Sequence, residues 1–496
     1  MRIKFIPMKH FLFFTVISFS FLVKAQLIET GWRKCYGGSN FEVGGQIYPT
    51  SDGGYVLIGQ TNSNDYDVAG NDDYEYDGWV VRLRANGEIL WQTVFPSFNT
   101  DTHPNVDLHD IQPTSDGGYI VVGVYSPPGD YFDYVGLVAK IDDQGNVQWQ
   151  KMLGETNAID SANGVVQTQD GGYMVLVNTA LDDGLPPYYD FRLVKLSPTG
   201  DFQWDKIFGG DGFDVPGRIY KSSDGGYLLT GTSSSDEGEF AENHGHGDFL
   251  IIKVNESGEK QWMKLLGGSE DEFLRLRATE DGGFIGAGYS ESNDGDVTSE
   301  EGIAWFVKLN ENCEILWQRK YNESGFNSVL QTPEGNYILT GGTGGTGNSD
   351  IFIKQVDGNG EFMEQLEIEG SGNDYVKSLF PTTDNQFIIS GYTYSQDGDF
   401  SGNHGGTDLW MIKFDSFLSL MEVNRENISF YPNPVKDILH FSENLNNIAV
   451  FSMDGREILK TTGKMNVNLS QLPAGSYILT AETATGKKVK AKFVKN

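Results

Sequence analysis

The sequence predicts an all-β chain, a seven-bladed β-propeller of four-stranded blades followed by a small immunoglobulin-like β-sandwich. Three observations lead to this fold class. An Asp-Gly-Gly-Tyr motif returns, in exact or degenerate form, at intervals of 50 to 64 residues. A strand-like segment stands before its first copy, and the residues after about 428 change charge and pattern. Repeats of this length are typical of propellers and solenoids.

Residues 1–25 are predicted to be a signal peptide. Arg2, Lys4 and Lys9 form a basic start, residues 11–22 are apolar, and Val23-Lys24-Ala25 resembles a cleavage site before Gln26. No later apolar run approaches the roughly 20 residues that a membrane helix needs. We therefore expect an exported protein without a transmembrane helix in the mature chain.

The repeated motif predicts a hairpin turn between the first two strands of each unit. Its copies are Asp52–Tyr55, Asp116–Tyr119, Asp170–Tyr173, Asp224–Tyr227, Asp281–Phe284 and the degenerate Glu334–Tyr337 and Asp384–Phe387. Asp-Gly before an apolar run is typical of type I′ turns, which need positive φ.

The third unit shows the four-strand pattern most clearly. Its strands are predicted at 163–168, 173–177, 190–196 and 202–208, with a second hairpin at Thr199-Gly200. The fourth strand carries Trp204, and the same place holds Trp91, Trp149, Trp262 and Trp317 in other units. We expect these rings to fill the faces between blades; stacking on sugar is the alternative.

The ends of the repeat predict a closed ring. The last unit lacks a fourth strand, and a matching segment, 29–38 with Trp32, stands before the first hairpin. Such a displaced strand closes a propeller and protects its sheet edges, whereas a solenoid would need capping repeats. Cys35 and Cys313 then lie two blades apart, so we expect no disulfide between them.

The repeat resembles propeller-type repeats of secreted proteins from Bacteroidetes-like bacteria. In the fourth copy the resemblance rests on Asp224–Tyr227, Gly231-Thr232, Asp248–Lys253 and Gly258–Trp262. It covers about residues 26–417 and implies a fold more than a function.

The formal net charge of the chain is −33. Such a field repels nucleic acid and anionic lipid and favours metal cations or basic partners. Solubility outside the cell explains the charge equally well.

An acidic residue stands nine or ten positions before most of the turns. These candidates for a carboxylate ring on a binding face are Glu42, Asp107, Asp160, Asp214, Glu272 and Asp374. The alternative, which we favour, is that each carboxylate accepts hydrogen bonds from backbone N–H groups of its own tight turn.

The loops between second and third strands are rich in Asp, Asn and Gly. Oxygen ligands on flexible loops suit Ca²⁺, and the candidate ligands are Asp294, Asp296, Asp397, Asp399 and Asp408. None of the loops has EF-hand spacing, and solvated turns are the alternative. A Zn²⁺ site from His244, His246 and His404 has weaker support because only two of them are local.

No catalytic motif stands out. The sequence has no G-x-S-x-G elbow, no H-E-x-x-H and no P-loop. A carboxylate pair for glycoside hydrolysis cannot be identified from spacing among 69 acidic residues.

The C-terminal segment has its own pattern. A polar linker is expected at 419–427, after a propeller spanning 26–418, and short strands are predicted at 438–441, 448–452 and 457–460. The segment 428–496 closely resembles the C-terminal sorting domain of the type IX secretion system. The resemblance is carried by residues in the expected order, among them Tyr431, Pro432, Asn433, Pro434, Gly455, Gly475 and Tyr477.

The resemblance implies passage across the outer membrane by the type IX secretion machinery, to the medium or the cell surface. We expect an exported binding scaffold with a glycan or protein ligand. The alternatives are a glycan hydrolase or lyase with its site on the acidic face, and a purely structural surface protein.

Overall fold

The structure is a computed structural model, and it describes residues 31–71, 76–95, 105–126, 134–154, 159–180, 189–222, 224–240, 243–298, 301–344, 349–414, 430–431, 434–452, 457–482 and 488–496. The chain divides into two units, Met1–Leu420 and Met421–Asn496. The predicted signal peptide and the predicted linker lie outside the described residues. No helix within the described ranges is long and apolar enough to cross a membrane.

The first unit is a seven-bladed propeller, as predicted. Each blade is a four-stranded antiparallel sheet whose strands follow one another from the axis outward. Blade one contains β2 (Glu42–Pro49), β3 (Tyr55–Thr61), β4 (Asp77–Leu83) and β5 (Ile89–Phe95). Blade two contains β6 (Asn105–Pro113), β7 (Tyr119–Ser126), β8 (Val135–Ile141) and β9 (Val147–Leu153). Blade three contains β10 (Ile159–Gln167), β11 (Tyr173–Ala180), β12 (Asp190–Leu196) and β13 (Phe202–Phe208). Blade four contains β14 (Asp214–Lys221), β15 (Tyr227–Ser233), β16 (Asp248–Val254) and β17 (Lys260–Leu266). Blade five contains β18 (Glu272–Ala278), β19 (Phe284–Ser290), β20 (Ala304–Leu309) and β21 (Ile315–Tyr321). Blade six contains β22 (Ser328–Gln331), β23 (Tyr337–Gly342), β24 (Ile351–Val356) and β25 (Phe362–Ile368).

The seventh blade closes the ring with the displaced strand. It contains β26 (Asp374–Pro381), β27 (Phe387–Thr393), β28 (Asp408–Phe414) and, at its outer edge, β1 (Trp32–Tyr36). β1 pairs antiparallel with β28, from Trp32 opposite Lys413 to Tyr36 opposite Leu409. A short 3₁₀ helix, Gly398–Phe400, lies in the loop before β28.

The Asp-Gly-Gly turn differs from the predicted type I′ turn. In the first copy Gly53 donates its N–H to Thr50 O at 3.0 Å, Thr50 donates to Gly54 O at 2.9 Å, and only Gly53 has positive φ, at +82°. This is the three-residue hairpin loop, a type I turn followed by one left-handed residue. The prediction of a type I′ turn was wrong because a three-residue loop needs only one left-handed position.

The aspartate of the motif forms an ion pair with a buried cation of the third strand. Arg82, for example, donates to both oxygens of Asp52 at 2.6 Å. The other pairs are Asp116–Lys140, Asp170–Lys195, Asp224–Lys253, Asp281–Lys308 and Asp384–Lys413. The motif therefore neutralises a positive charge inside each of these blades.

The fourth-strand tryptophans lie between blades, as the repeat position predicts. Each packs against the second hairpin of the next blade, at a glycine with positive φ: Trp32 at Gly87, Trp91 at Gly145, Trp149 at Gly200, Trp204 at Gly258 and Trp317 at Gly360. In the fifth blade Cys313 takes the left-handed position, at φ +56°, in the cluster that includes Trp262. Cys313 and Cys35 are both free thiols.

The second unit is a small β-structure with its own core. Its strands are β29 (Phe430–Tyr431), β30 (Ile438–Ser452), β31 (Glu457–Thr461), β32 (Lys464–Asn468), β33 (Gly475–Glu482) and β34 (Lys488–Lys495). β30 pairs with β29 and β32 through its first half and with β31 and β33 mainly through its second half. The strands predicted at 438–441 and 448–452 are therefore one strand shared by two sheets.

The sorting-domain residues that are described have structural roles. Tyr477 is buried, donates its hydroxyl to Pro473 O at 2.8 Å and stacks on Phe493. Gly475 begins β33. Tyr431 ends β29 and is exposed, and Pro434 stands three positions later in the chain. Pro432, Asn433 and Gly455 lie outside the described residues.

Candidate functional site

The inner strands of the blades surround a central channel that contains two connected cavities. The loop-side cavity, about 360 Å³, is lined near the starts of the inner strands by residues such as Val43, Asp107 and His109. The turn-side cavity, about 460 Å³, is lined near their ends. Gln46, Arg218, Tyr220, Arg275 and Lys377 line both cavities. Volumes of this size are typical of small-molecule sites.

Five cationic side chains line the channel of this acidic protein: Arg218, Lys221, Arg275, Arg277 and Lys377. Arg218 lies 3.8 Å from a carboxylate oxygen of Asp110. Arg275, Arg277 and Lys377 have no carboxylate oxygen within 4.0 Å among the described residues. The channel therefore concentrates positive charge in a chain whose formal net charge is −33.

Aromatic rings and backbone carbonyls hold these cations in place. Arg277 lies 4.5 Å from the ring centre of Phe380 and donates to Leu379 O, across the channel, at 2.9 Å. Arg275 lies 5.4 Å from the ring of Phe273 and donates to Asn327 O at 2.9 Å. Such cation–π contacts stabilise a guanidinium without neutralising it.

Lys377 lies against a group of tyrosines on the last blade. Its Nζ is 5.5 Å from the ring centre of Tyr392, which stacks on Tyr375 at 4.6 Å. Tyr394 contacts both rings, and it and Tyr375 are exposed. These tyrosines place flat apolar surface beside Lys377, which itself lines both cavities.

The charged state of these cations is costly in the channel. Burial, joined by repulsion from Arg218, lowers the pKa of Arg275 to about 10, and burial lowers that of Arg277 to about 10. Burial, followed by repulsion from Arg275, lowers the pKa of Lys377. Both arginines remain cationic at neutral pH, and a bound anion would relieve the cost.

His109 forms part of a Ser–His–Asp arrangement in the channel. Its Nε2 lies 3.5 Å from Asp107 Oδ2, and its Nδ1 lies 3.2 Å from Ala162 O and 3.3 Å from Ser161 Oγ. Although burial opposes the charged form, the contact with Asp107 raises the pKa of His109. Because the Ala162 carbonyl can only accept, Nδ1 carries a proton and has no lone pair to accept one from Ser161. The Ser161 hydroxyl donates instead to Asn163 Oδ1 at 2.9 Å.

The six residues predicted to form a carboxylate ring occupy two kinds of position. Glu42, Asp160, Asp214, Glu272 and Asp374 are 0–1% exposed. Glu42 accepts from Gly38 N and Thr61 Oγ1, at 2.9 and 2.7 Å. Asp214 and Glu272 likewise accept from the backbone N–H four residues before them. Burial raises the pKa of Glu42, Asp214, Glu272 and Asp374, despite these hydrogen bonds.

Asp107 differs from the other five because of strand register. Asp160 pairs with Thr179 and Asp214 with Ser233, two residues before the bulge of each strand. In β6 that place belongs to Val106, so Asp107 points to the opposite side and lines the loop-side cavity. Its side chain is 46% exposed. Of the six, Asp107 is the residue whose side chain lies in the channel.

Most of the loop aspartates considered for calcium accept hydrogen bonds from the protein. Asp294 accepts from Ser269 N, Asp397 from Ser371 N, and Asp399 from Glu369 N and Arg33. Asp408 is buried and accepts from the backbone and ring of His404, and the backbone N–H of Asp296 donates to Gly267 O. Within the described ranges, no group of three or more His, Cys, Asp or Glu residues is placed to hold a metal ion.

The channel cations were not predicted from the sequence. Lys377 stands at the bulge position that His109 and Asn163 occupy in other blades. Arg218 and Arg275 stand at the next paired position of their strands, where the second blade has Asp110. The signal was the variation between copies at inward-facing positions of an otherwise regular repeat.

Comparison with known families identifies the C-terminal unit. Residues 429–496 match the secretion system C-terminal sorting domain. The chain is therefore exported by the type IX secretion system, to the medium or the cell surface. No curated protein matches the sequence.

Two solved structures are partly similar to this chain. The Dos1 propeller is 11% identical, with a TM-score of 0.43, and the match covers 76% of this chain and 95% of that one. The Pan2 WD40 domain of Neurospora crassa is 9% identical, with a TM-score of 0.43, and the match covers 75% and 89%. The propeller assignment itself rests on the strand order of this chain.

Proposed function

We propose that this exported propeller is a binding module whose ligand enters the central channel from the loop side. The observation that carries the proposal is the channel wall, where Arg275, Arg277 and Lys377 lie without a carboxylate partner among the described residues. Charged groups in a cavity are costly unless they are paired, so their retention favours a ligand that pairs with them.

The polar groups near the cavity favour binding over catalysis. The Ser161 hydroxyl donates to Asn163, and the Nδ1 of His109, which donates to Ala162 O, cannot act as its base. Asp110 accepts from Ile111 N at 3.0 Å and from Val165 N at 3.2 Å, which fixes its carboxylate in a structural role. An apolar rim with a few fixed polar groups is typical of recognition sites.

The alternative is a glycan-active enzyme, and one observation favours it. Asp107 and Asp110 both line the channel, and burial raises the pKa of Asp110. A carboxylic acid with a raised pKa beside an exposed carboxylate is the pairing that glycoside hydrolysis uses. This alternative predicts that bound saccharide is cleaved.

The proposal is tested with a glycan and peptide array probed with the purified full chain. The variant Val43→Trp places a large ring at the loop-side cavity, and Leu316→Trp is the matched control, since Leu316 is exposed on an outer strand. We expect Val43→Trp to abolish array binding and Leu316→Trp to leave it unchanged.

Chromatography of each bound compound after incubation separates the two functions. Recovery of intact ligand supports a binding module, and release of shorter products supports the enzyme. Binding that survives Val43→Trp would place the ligand outside the channel and contradict the proposal.

A further inference from the structure

We propose that the channel recognises a small ligand through an oxoanion, a carboxylate or a sulfate group, bound by Arg275, Arg277 and Lys377. This inference rests on the proposed binding function and adds the chemical class of the ligand. It follows from the donors, the charge and the dimensions of the channel.

The two arginines have unused donors. A guanidinium carries five N–H groups in a planar fork that matches a carboxylate or sulfate. Arg275 gives one N–H to Asn327 O and Arg277 gives one to Leu379 O. In the described part of the chain, the other four N–H groups of each arginine have no acceptor within hydrogen-bond distance. Both arginine side chains line the turn-side cavity.

The charges in the channel do not cancel. Asp110 is 3.8 Å from Arg218, and Asp107 is 3.5 Å from the imidazole of His109. Asp107 also favours the charged form of Lys377. Against these two carboxylates stand five lysine and arginine side chains, so positive charge remains for a ligand. Cations in a cavity with low-dielectric walls attract anions despite the acidic exterior.

The dimensions and surface of the channel indicate a small ring compound rather than a macromolecule. The cavities measure about 360 and 460 Å³ and share Arg275 and Lys377. Tyr392 and Phe273 place ring faces beside these cations. A sugar acid of one or two rings fits both features, with its anionic group at the arginines and its ring beside the aromatic faces.

Galacturonate and galactose are a matched pair of probes, because they differ only in a carboxylate in place of a hydroxymethyl group. Isothermal titration of the purified full chain should detect galacturonate binding and no galactose binding. Arg275→Met and Arg277→Met should each weaken galacturonate binding about tenfold or more, the usual effect of losing a charged hydrogen bond. Arg277→Lys should retain part of the affinity.

Lys206→Met is the control, since Lys206 carries the same charge on the outer strand β13 and pairs with Glu259 at 2.9 Å. Thermal melting of each variant shows whether it folds. Competition by sodium sulfate would show that the oxoanion alone is recognised, and its absence would show that the sugar ring is needed; both support the inference.

Two results would overturn the inference. Equal binding of galactose and galacturonate, unchanged in the arginine variants, would keep a channel ligand but remove the anion. The anion would also be ruled out if the chain bound neither probe while Val43→Trp still abolished binding to its array ligands. If the proposed binding function itself is wrong, the array will show no ligand whose binding is lost in Val43→Trp.

Discussion

Replacing the buried Asp374 by asparagine should make the propeller more stable at neutral pH. The Asp374 carboxylate is fully buried, accepts from Ser395 Oγ at 3.0 Å and from Thr393 Oγ1, and is repelled by Asp350. Burial raises its pKa from 3.8 to about 6. Ionising this group therefore disfavours the folded state, and Asp374→Asn imitates its protonated form.

The size of the effect follows from the pKa shift. A raised pKa means that the folded chain binds more protons than the unfolded chain between about pH 4 and pH 6, so stability falls as pH rises through that window. A shift of about two pKa units corresponds to about 3 kcal/mol. We expect Asp374→Asn to raise the free energy of unfolding by up to about 3 kcal/mol at pH 7 and by little at pH 4.

Urea denaturation at pH 4, 5, 6 and 7 measures the difference. The exposed Asp143→Asn removes the same charge and should follow the wild-type pH dependence. A variant that is less stable than wild type at pH 7, or whose stability runs parallel to wild type from pH 4 to pH 6, would show that Asp374 is ionised without cost. The role assigned to its burial would then be refuted.

Three further predictions concern the repeat and its loops. Gly200→Ala should lower the free energy of unfolding by about 2–3 kcal/mol in urea, because φ is +78° and a Cβ would lie 2.7 Å from the Trp149 ring; Gly117→Ala, at φ +88° with open space around it, should cost only about 1 kcal/mol. Asp281→Asn should destabilise the fifth blade by about 1–2 kcal/mol at pH 7, since it leaves the Lys308 ammonium without its charged partner, whereas Lys308→Met should cost less. Hydrogen bonds with Lys308 and Thr279 lower the pKa of Asp281 to about 2. The stability that the Asp281–Lys308 ion pair contributes is therefore present above about pH 4 and is lost as pH falls through 2. Acid titration of the two variants would reveal this loss. Because Asp294, Asp397 and Asp399 already accept protein N–H groups, we expect melting temperatures with excess Ca²⁺ and with chelator to agree. A higher melting temperature with Ca²⁺ would instead support a calcium site in the loops.

Much of the propeller could be predicted because its signals are local. The hairpin at Asp52–Tyr55 needs only a left-handed glycine and neighbouring strands, and the displaced strand at Trp32 follows from counting strands at both ends. The errors were also local: the turn needs one positive φ rather than two, and β30 continues through a segment read as a loop. The ion pairs such as Asp281–Lys308 were missed because their partners lie on different strands.

The candidate site depended on contacts that local patterns do not encode. From the sequence, Glu42 and Asp214 could belong to a ring of carboxylates on a binding face or could cap their own turns. In the structure both side chains are buried inside the blades. Register decided the case of Asp107, because a shift of one residue along a strand moves a side chain to the opposite side of the sheet.

The sequence by itself determined the number of blades, the closing strand and the sorting domain, because these depend on motifs that recur or stand in fixed order along the chain. The tertiary structure decided which side chains meet at the axis. Arg218, Arg275 and Lys377 come from three different blades, and each alone is an ordinary strand residue. Their shared field exists only after the ring closes, since closure brings like charges into one cavity and removes much of the water that would screen them.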